Sequence, residues 1–201
     1  MWRGRGDASS KRLPRSRSRD TVSAMAREIS AGGVVVREIA GAWHIALIEP
    51  QREEPAPAKP QRRTRAAVLS LPKGLVDGGE KAATTAVREV KEETGIVAEI
   101  VTKLADLKYV YVRTWGDGER VFKIVSFYLM HYLSGEIDDI PPGMRIEVKR
   151  ALWVPLGGAS KQMAYSGERK VVLQAQEYVE KHGFSAEMEH EKLRTGGEKP
   201  A

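Results

Sequence analysis

GLVDGGEKAATTAVREVKEETGI, from Gly74 to Ile96, is the stretch of this chain that decides its fold and its chemistry. Near its end, four charged side chains fall within about one and a half helical turns: Arg88, Glu89, Glu92 and Glu93. Like charges four residues apart destabilise an isolated helix by a few tenths of a kcal/mol per pair. A hard divalent cation with oxygen ligands would offset that repulsion.

The same stretch predicts one amphipathic helix. Apolar side chains recur at the helical spacing of i, i+3, i+4 and i+7 at Ala82, Ala83, Ala86, Val87 and Val90. An entry loop with two glycines precedes the helix, and Gly95 stands where a left-handed residue ends one. We therefore predict a helix from about Glu80 to Thr94, with the glutamates in one sector beside the apolar stripe. The alternative interpretation is a solvated, charged helix face.

The order of fixed residues resembles the Nudix box, the signature of the Nudix hydrolases. Every fixed position is matched: Gly74, Glu80, Arg88, Glu89, Val90, Glu92, Glu93, Gly95 and Ile96. Weaker similarity extends over roughly residues 29–180 and includes the segments Ser30 to Arg37, Leu71 to Gly74 and Ala151 to Leu156. The resemblance implies an α/β (α+β) fold, an α/β/α sandwich around a mixed β-sheet. It also implies Mg²⁺-dependent hydrolysis of a nucleoside diphosphate linked to another group.

The resemblance assigns roles to residues of the box. The implied metal ligands are Glu89, Glu92, Glu93 and the carbonyl of Gly74, with Mg²⁺ as the cofactor and Mn²⁺ as a substitute. Arg88 would hold the glutamates by an ion pair, and Glu80 would support them. A general base is also needed, because a water must lose a proton when it attacks phosphorus. The candidates are Glu89, Glu93 and Glu147; an ordinary surface position is the alternative for Glu147.

Two lysines and several tyrosines are candidates for substrate binding. Lys73 directly precedes Gly74 and is well placed to meet a phosphate. Lys123 is the only charge within the predicted strand Val121 to Leu133, where it points outward or serves a site; it also resembles a lysine of the diadenosine-polyphosphate branch. Three tyrosines could stack on a base, although packing is the alternative for each: Tyr109, Tyr111 and Tyr128.

The rest of the chain predicts strands, one further helix and several irregular segments. β-Branched and apolar runs predict strands at Ile29 to Arg37, Trp43 to Ile48 and Ala67 to Leu71, and a strand pair within Ala98 to Tyr111. Gly116-Asp117-Gly118 is typical of a hairpin turn, and Gly167 to Lys181 is expected to form a closing helix. The proline-rich segment Glu49 to Arg65 is expected to be a mobile insertion.

Composition sets the predicted domain limits and compartment. The chain has 201 residues, a net charge of +6 and no cysteine, which excludes disulfides, redox thiols and cysteine-ligated zinc. We expect a disordered basic tail at 1–27, a Nudix domain at 28–182 and a disordered tail at 183–201. No apolar run is long enough to span a membrane and no secretory signal is evident, so a cytoplasmic protein is expected.

The expected partner is a small nucleotide or dinucleotide polyphosphate. The leading hypothesis is a pyrophosphohydrolase of diadenosine polyphosphates or oxidised nucleoside triphosphates; ADP-ribose and inositol pyrophosphates are alternative substrates. A non-catalytic Nudix regulator that binds nucleotide or RNA is the alternative class. A third hypothesis is hydrolysis at RNA ends, with the basic run Lys11 to Arg19 in weak contact with nucleic acid. The favoured explanation of that run is instead a solvated tail or an upstream start-site error, with Met25 opening the domain. The sequence does not predict an oligomeric state.

Overall fold

Strand β1 (Ala26–Ile39) lies in the middle of the sheet, and its central residues, 30–36, are buried. A computed structural model describes residues 25–51, 68–113 and 118–183 of the chain. The other strands of the sheet are β2 (Ala42–Pro50), β3 (Lys73–Leu75), β4 (Ile96–Val112), β5 (Arg120–Gly135) and β6 (Val148–Pro155). The helices of the described residues are α1 (Ala82–Thr94), α2 (Leu156–Gln162) and α3 (Ser166–His182), with a 3₁₀ turn at Pro142–Ile146.

These six strands form one mixed sheet in the order β4-β5-β1-β2-β6, and β3 pairs with β1. The β1–β5 pair is parallel, whereas the other pairs are antiparallel. Helices cover both faces: α1 packs against one cluster of buried side chains, and α2 and α3 pack against the other. The expected α/β/α sandwich around a mixed β-sheet is therefore confirmed.

Side chains that alternate along the strands pack into two separate hydrophobic cores, one on each face of the sheet. In β1, Val34 and Val36 belong to the cluster under α2 and α3, and Val35 belongs to the cluster under α1. In β5, Phe127 and Met130 are divided between the two clusters in the same way. Neighbouring side chains of a strand point to opposite faces, so each strand contributes to both layers.

Two predicted elements differ from the structure. Of the strand expected at Ala67 to Leu71, the described residues 68–71 make only single bridges, at Leu69 and Ser70, and pairing with β1 begins at Lys73. The pair expected within Ala98 to Tyr111 is one continuous strand, β4, whose register against β5 shifts three times. Bulges of this kind let a long strand bend without a turn.

Several predictions fall on residues that the structure leaves out. The insertion lies mostly within 52–67, although its first two residues, Glu49 and Pro50, belong to β2. The first two residues of the hairpin turn lie within 114–117, and the two tails lie largely within 1–24 and 184–201. Residues 26 and 27, which were expected to belong to the basic tail, are the first two residues of β1. Among the helices of the described ranges, none is both long and apolar enough to cross a membrane.

Candidate active site

Two glutamates of α1 are buried against the sheet. Ala86 and Val90 direct one side of the helix into the core, and Glu89 and Glu93 lie one turn apart on a neighbouring side, with only 7% and 6% of their surfaces exposed. Glu92 is more open, with 37% of its side chain exposed. The helix ends at Gly95, whose φ of 81° is the left-handed conformation expected there.

Gly74 provides the space that Glu89 occupies. A Cβ placed on Gly74 would stand 2.1 Å from both Cδ and Oε1 of Glu89, and 2.2 Å from Oε2. Heavy atoms of a side chain cannot approach that closely, so this contact requires glycine. Gly74 of β3, whose carbonyl is a predicted metal ligand, therefore lies directly beside Glu89 of α1, whose carboxylate is another.

Glu93 is held by the residue that precedes Gly74. The backbone N–H of Lys73 donates a hydrogen bond of 2.7 Å to Oε2 of Glu93. Burial nevertheless raises the pKa of Glu93 to about 8, against the opposing effects of the Lys73 charge and N–H. Burial also raises the pKa of Glu89, and the negative charge of Glu147 contributes to the rise at both sites.

Arg88 gathers the remaining carboxylates of the box. Its Nη1 donates to Glu89 at 2.7 Å and to Glu92 at 2.8 Å, while Nη2 donates to Glu80 at 3.0 Å. Nη2 also donates to the carbonyl of Leu75 at 3.2 Å. The hydrogen bonds to Glu80, and then the charge of Glu89, raise the pKa of the guanidinium, so Arg88 stays charged. Its predicted role in holding the cluster matches these contacts.

The donor set suits a hard divalent cation. Burial raises the pKa of Glu89 and Glu93, and a bound cation would oppose this rise by favouring the ionised carboxylates. Oxygen is also the ligand that Mg²⁺ prefers. Within 25–51, 68–113 and 118–183, however, no three Asp, Glu, His or Cys side chains already stand in a metal-holding arrangement. Arg88 engages Glu89 and Glu92 instead, and the Lys73 N–H occupies one oxygen of Glu93.

The predicted base Glu147 follows the 3₁₀ turn. Its backbone is α-helical (φ −99°, ψ −36°) and its side chain is exposed. Glu147 lies in the segment that leads into β6, and its negative charge contributes to the raised pKa of both Glu89 and Glu93.

A cavity of about 710 Å³ opens on the sheet face under α3. Both predicted substrate lysines line it, Lys73 from β3 and Lys123 from β5. Lys123 Nζ also lies 3.4 Å from Glu28, which accepts a hydrogen bond of 2.9 Å from Arg113. The lysines and aromatic residues of the lining are Lys73, Lys108, Lys123, Tyr109, Tyr111, Phe127 and Tyr165.

Tyr128 is the predicted substrate residue that the structure does not bring to this cavity. It packs against the cluster under α1, on the opposite face of the sheet from Lys123. The two residues are five positions apart in β5, and an odd separation places side chains on opposite faces. The cavity is instead lined by Tyr109 and Tyr111, two of the tyrosines predicted to stack on a base. It is also lined by Tyr165 and Glu168, which were not predicted from the sequence.

Sequence patterns offered little to identify Tyr165 and Glu168. Tyr165 precedes α3 and is 57% exposed, whereas Glu168 is a charged residue of the first helical turn that is only 4% exposed. An acidic residue in a first turn is common because it suits the positive end of the helix. Only the packing of α3 against β3, β4 and β5 shows that these side chains face a cavity.

Comparisons with known proteins match this sequence and this fold. A family model described as NUDIX domain matches residues 27–175. A Mycobacterium tuberculosis protein named as mutator protein MutT4 is 38% identical over 175 residues, which are 83% of this chain and 64% of that protein. An 8-oxo-(d)GTP phosphatase from Mycolicibacterium smegmatis is 32% identical over 103 residues, 51% of this chain and 28% of that protein. The chain thus spans less than two thirds of either relative.

Among solved structures, a binary complex of the Caenorhabditis elegans Ap4A hydrolase is similar in fold, with a TM-score of 0.55 and 22% identity. The alignment covers 77% of this chain and 98% of that one. Since the family model matches more than half of the 201 residues, and the sheet and box helix agree with it, this chain belongs to the Nudix family.

Proposed function

We propose that this protein is a Mg²⁺-dependent pyrophosphohydrolase that cleaves a diphosphate bond in nucleotide-type substrates. Diadenosine polyphosphates and oxidised nucleoside triphosphates are the substrates we favour. One observation carries the proposal: two consecutive residues of β3 contact, respectively, the acidic cluster of α1 and the basic cavity. Gly74 adjoins the buried carboxylate of Glu89, and Lys73, the residue before it, lines the cavity with Lys123.

This arrangement suits a substrate with an anionic and an aromatic part. The ammonium groups of Lys73 and Lys123 attract phosphate oxygens. The rings of Tyr109, Tyr111 and Tyr165 offer faces on which a nucleobase can stack, and stacking on an aromatic side chain stabilises a bound base by about 1–3 kcal/mol. The relative named 8-oxo-(d)GTP phosphatase and the fold similarity to an Ap4A hydrolase support the nucleotide class.

Glu89, Glu92, Glu93 and the carbonyl of Gly74 would hold the cation. When bound, Mg²⁺ or Mn²⁺ would neutralise phosphate charge and promote ionisation of water. The reaction itself is a displacement in which a water oxygen forms a bond to phosphorus and the bond to the bridging oxygen breaks. The water proton passes to a carboxylate, for which Glu147, Glu89 and Glu93 are the candidates, and the second phosphate leaves with the bonding electron pair.

Arg88 would keep the carboxylates in place while charge moves. Its three hydrogen-bonded carboxylates lie in the entry loop and within one turn of α1, so the guanidinium restrains the cluster against mutual repulsion. Lys73 would contribute twice, through an N–H that orients Glu93 and through an ammonium group that faces the cavity. These are the positions at which preorganised charge lowers the barrier to phosphoryl transfer.

A substrate panel tests the proposal. Diadenosine polyphosphates, 8-oxo-dGTP, ADP-ribose and inositol pyrophosphates are incubated with Mg²⁺, and the products are resolved by chromatography. We expect cleavage of one of the first two classes and no cleavage in EDTA. We also expect a loss of at least about a hundredfold in Glu92→Gln, which replaces a partly exposed carboxylate ligand with a neutral amide without opening the core. No cleavage of any panel member, or undiminished turnover in EDTA, would contradict the proposed function.

A further inference from the structure

Glu168 is a buried charge outside the acidic cluster of α1. It lies in the first turn of α3 and is 4% exposed, although glutamates of small domains are seldom buried unless paired. Its Oε2 accepts a hydrogen bond of 3.0 Å from the backbone N–H of Leu71. Its other oxygen, Oε1, lies 3.7 Å from Nζ of Lys73. One carboxylate therefore contacts both ends of the three-residue segment that leads into Gly74.

Lys73 is consequently held from both layers of the sandwich. Glu93, in α1, accepts the hydrogen bond of its backbone N–H at 2.7 Å. Glu168, in α3, faces its ammonium group from the other side of the sheet. The lysine side chain has a quarter of its surface exposed and lines the cavity. Two acids on two helices thus fix where the backbone of Lys73 lies and where its charge points.

The length of the ion pair between Lys73 and Glu168 indicates what the ammonium group can still bind. At 3.7 Å the Lys73–Glu168 pair is longer than the direct hydrogen bonds of 2.7 to 3.3 Å that Arg88 makes to its carboxylates. A longer pair orients the ammonium group but leaves its N–H donors available to another anion. The carboxylate of Glu168 would repel a phosphate, so it does not suit direct contact with the anionic part of a ligand.

We propose that Glu168 is a positioning residue, which aims the ammonium group of Lys73 at the phosphates of a bound ligand. It acts through Lys73 and does not touch the reacting atoms. The identity of the ligand rests on the proposed function, whereas the restraint on Lys73 does not. The competing interpretation is that Glu168 only anchors α3 to the backbone of Leu71.

The variant Glu168→Gln separates these two roles. Glutamine keeps a carbonyl oxygen that can accept the Leu71 N–H but loses the negative charge that faces Lys73. Glu177→Gln is the matched control, because it makes the same chemical change on an exposed position of the same helix. If Glu168→Gln does not fold, the wild-type chain still tests the restraint, because the two Hε protons of Lys73 have distinct NMR shifts only if its side chain is held in place; a single merged shift would overturn the proposal.

The first measurement does not depend on turnover. The two Hε protons of Lys73, assigned in NMR spectra by their loss in Lys73→Met, should have distinct shifts in the wild-type chain because its side chain is restrained. We expect them to stay distinct in Glu177→Gln and to merge in Glu168→Gln as the side chain begins to rotate. Distinct shifts in folded Glu168→Gln would overturn the proposal, even if no substrate of the panel is cleaved.

The second measurement is a double-mutant cycle on turnover. Glu168→Gln should lower kcat about tenfold, since a misplaced positioning group costs rate. KM should change by less than about threefold, because lost orientation and relieved repulsion act in opposite directions. In a Lys73→Met background, Glu168→Gln should change kcat by less than about twofold. An equal fall in kcat in both backgrounds would show that Glu168 does not act through Lys73.

Discussion

The carboxylate of Glu89 lies against the Cα of Gly74, at a distance that leaves no room for a side chain at position 74. This contact joins β3 to α1 at the centre of the acidic site. Gly74→Ala should therefore displace Glu89, lower turnover by at least about a hundredfold, and destabilise the fold by about 1–3 kcal/mol through overpacking. Steady-state kinetics and thermal unfolding measure the two effects.

Gly78→Ala is the control for that substitution. It adds the same methyl group four residues later, in the loop that follows β3, but a Cβ at position 78 meets nothing within 4 Å. Wild-type turnover in Gly74→Ala, or an equal loss in Gly78→Ala, would show that the close approach to Glu89 does not matter.

Arg88 donates hydrogen bonds to three carboxylates, so its removal should lower the stability of the fold even when no cation is present. Arg88→Ala leaves Glu80, Glu89 and Glu92 without their shared donor, so in EDTA the free energy of unfolding should fall by about 1.5–3 kcal/mol. Chemical denaturation monitored by circular dichroism measures the change. Lys91→Ala, on an exposed position of the same helix, should alter it by less than about 0.5 kcal/mol. Similar losses in the two variants would contradict the role given to Arg88.

Glu147 is exposed, so its contribution to catalysis can be separated from folding. Glu147→Gln should lower kcat by about 10²–10⁴-fold, the range expected for a general base, while the melting temperature stays within about 1 °C of wild type. The control is Glu136→Gln, another exposed glutamate of the segment that precedes β6. A silent Glu147→Gln would leave Glu89 and Glu93 as the candidates for the base.

Glu49 predicts a pH-dependent contribution to stability. Hydrogen bonds from Lys149 and then Arg150, at 2.9 and 2.8 Å, lower the pKa of this buried carboxylate below its ordinary value of 4.5 and tie β2 to β6. The stabilisation is fully present above the ordinary pKa and is lost as the pH falls through the lowered, folded-state pKa. Glu49→Gln should therefore cost roughly 1 kcal/mol or less at pH 7 and nothing in strong acid.

Melting temperatures recorded between pH 7 and strong acid test this prediction. The gap between wild type and Glu49→Gln should close as the pH falls below 4.5, the ordinary value for this group. Exposed Glu38→Gln should show no gap at either end. A gap for Glu49→Gln that persists in acid would mean that its cause is not the charge of Glu49.

The fold and the acidic site were largely predictable because their determinants are local. The apolar stripe and Gly95 correctly located α1 and its end, although the helix begins at Ala82 and not at Glu80. Glu80 instead remains in the entry loop, where it accepts hydrogen bonds from Thr85 and Arg88. These side-chain hydrogen bonds stabilise Glu80 in the loop more than extending the helix by half a turn would.

The cavity was less predictable because its walls come from distant parts of the chain. Alternation along β5 could have separated Tyr128 from Lys123, since their odd spacing puts them on opposite faces. No comparable pattern marks Glu168, whose hydrogen bond to Leu71 joins residues 97 positions apart. Such a contact depends on how α3 packs on the sheet, which periodicity within either segment does not determine.

Cation binding by the buried carboxylates is the central claim, and Mn²⁺ titration followed by electron paramagnetic resonance tests it directly. The free Mn²⁺ signal should be depleted by the wild-type chain and by Glu177→Gln, whereas Glu93→Gln should bind at least about tenfold more weakly because it lacks a carboxylate ligand. An undiminished free signal with the wild-type chain, or equal uptake by wild type and Glu93→Gln, would contradict the account.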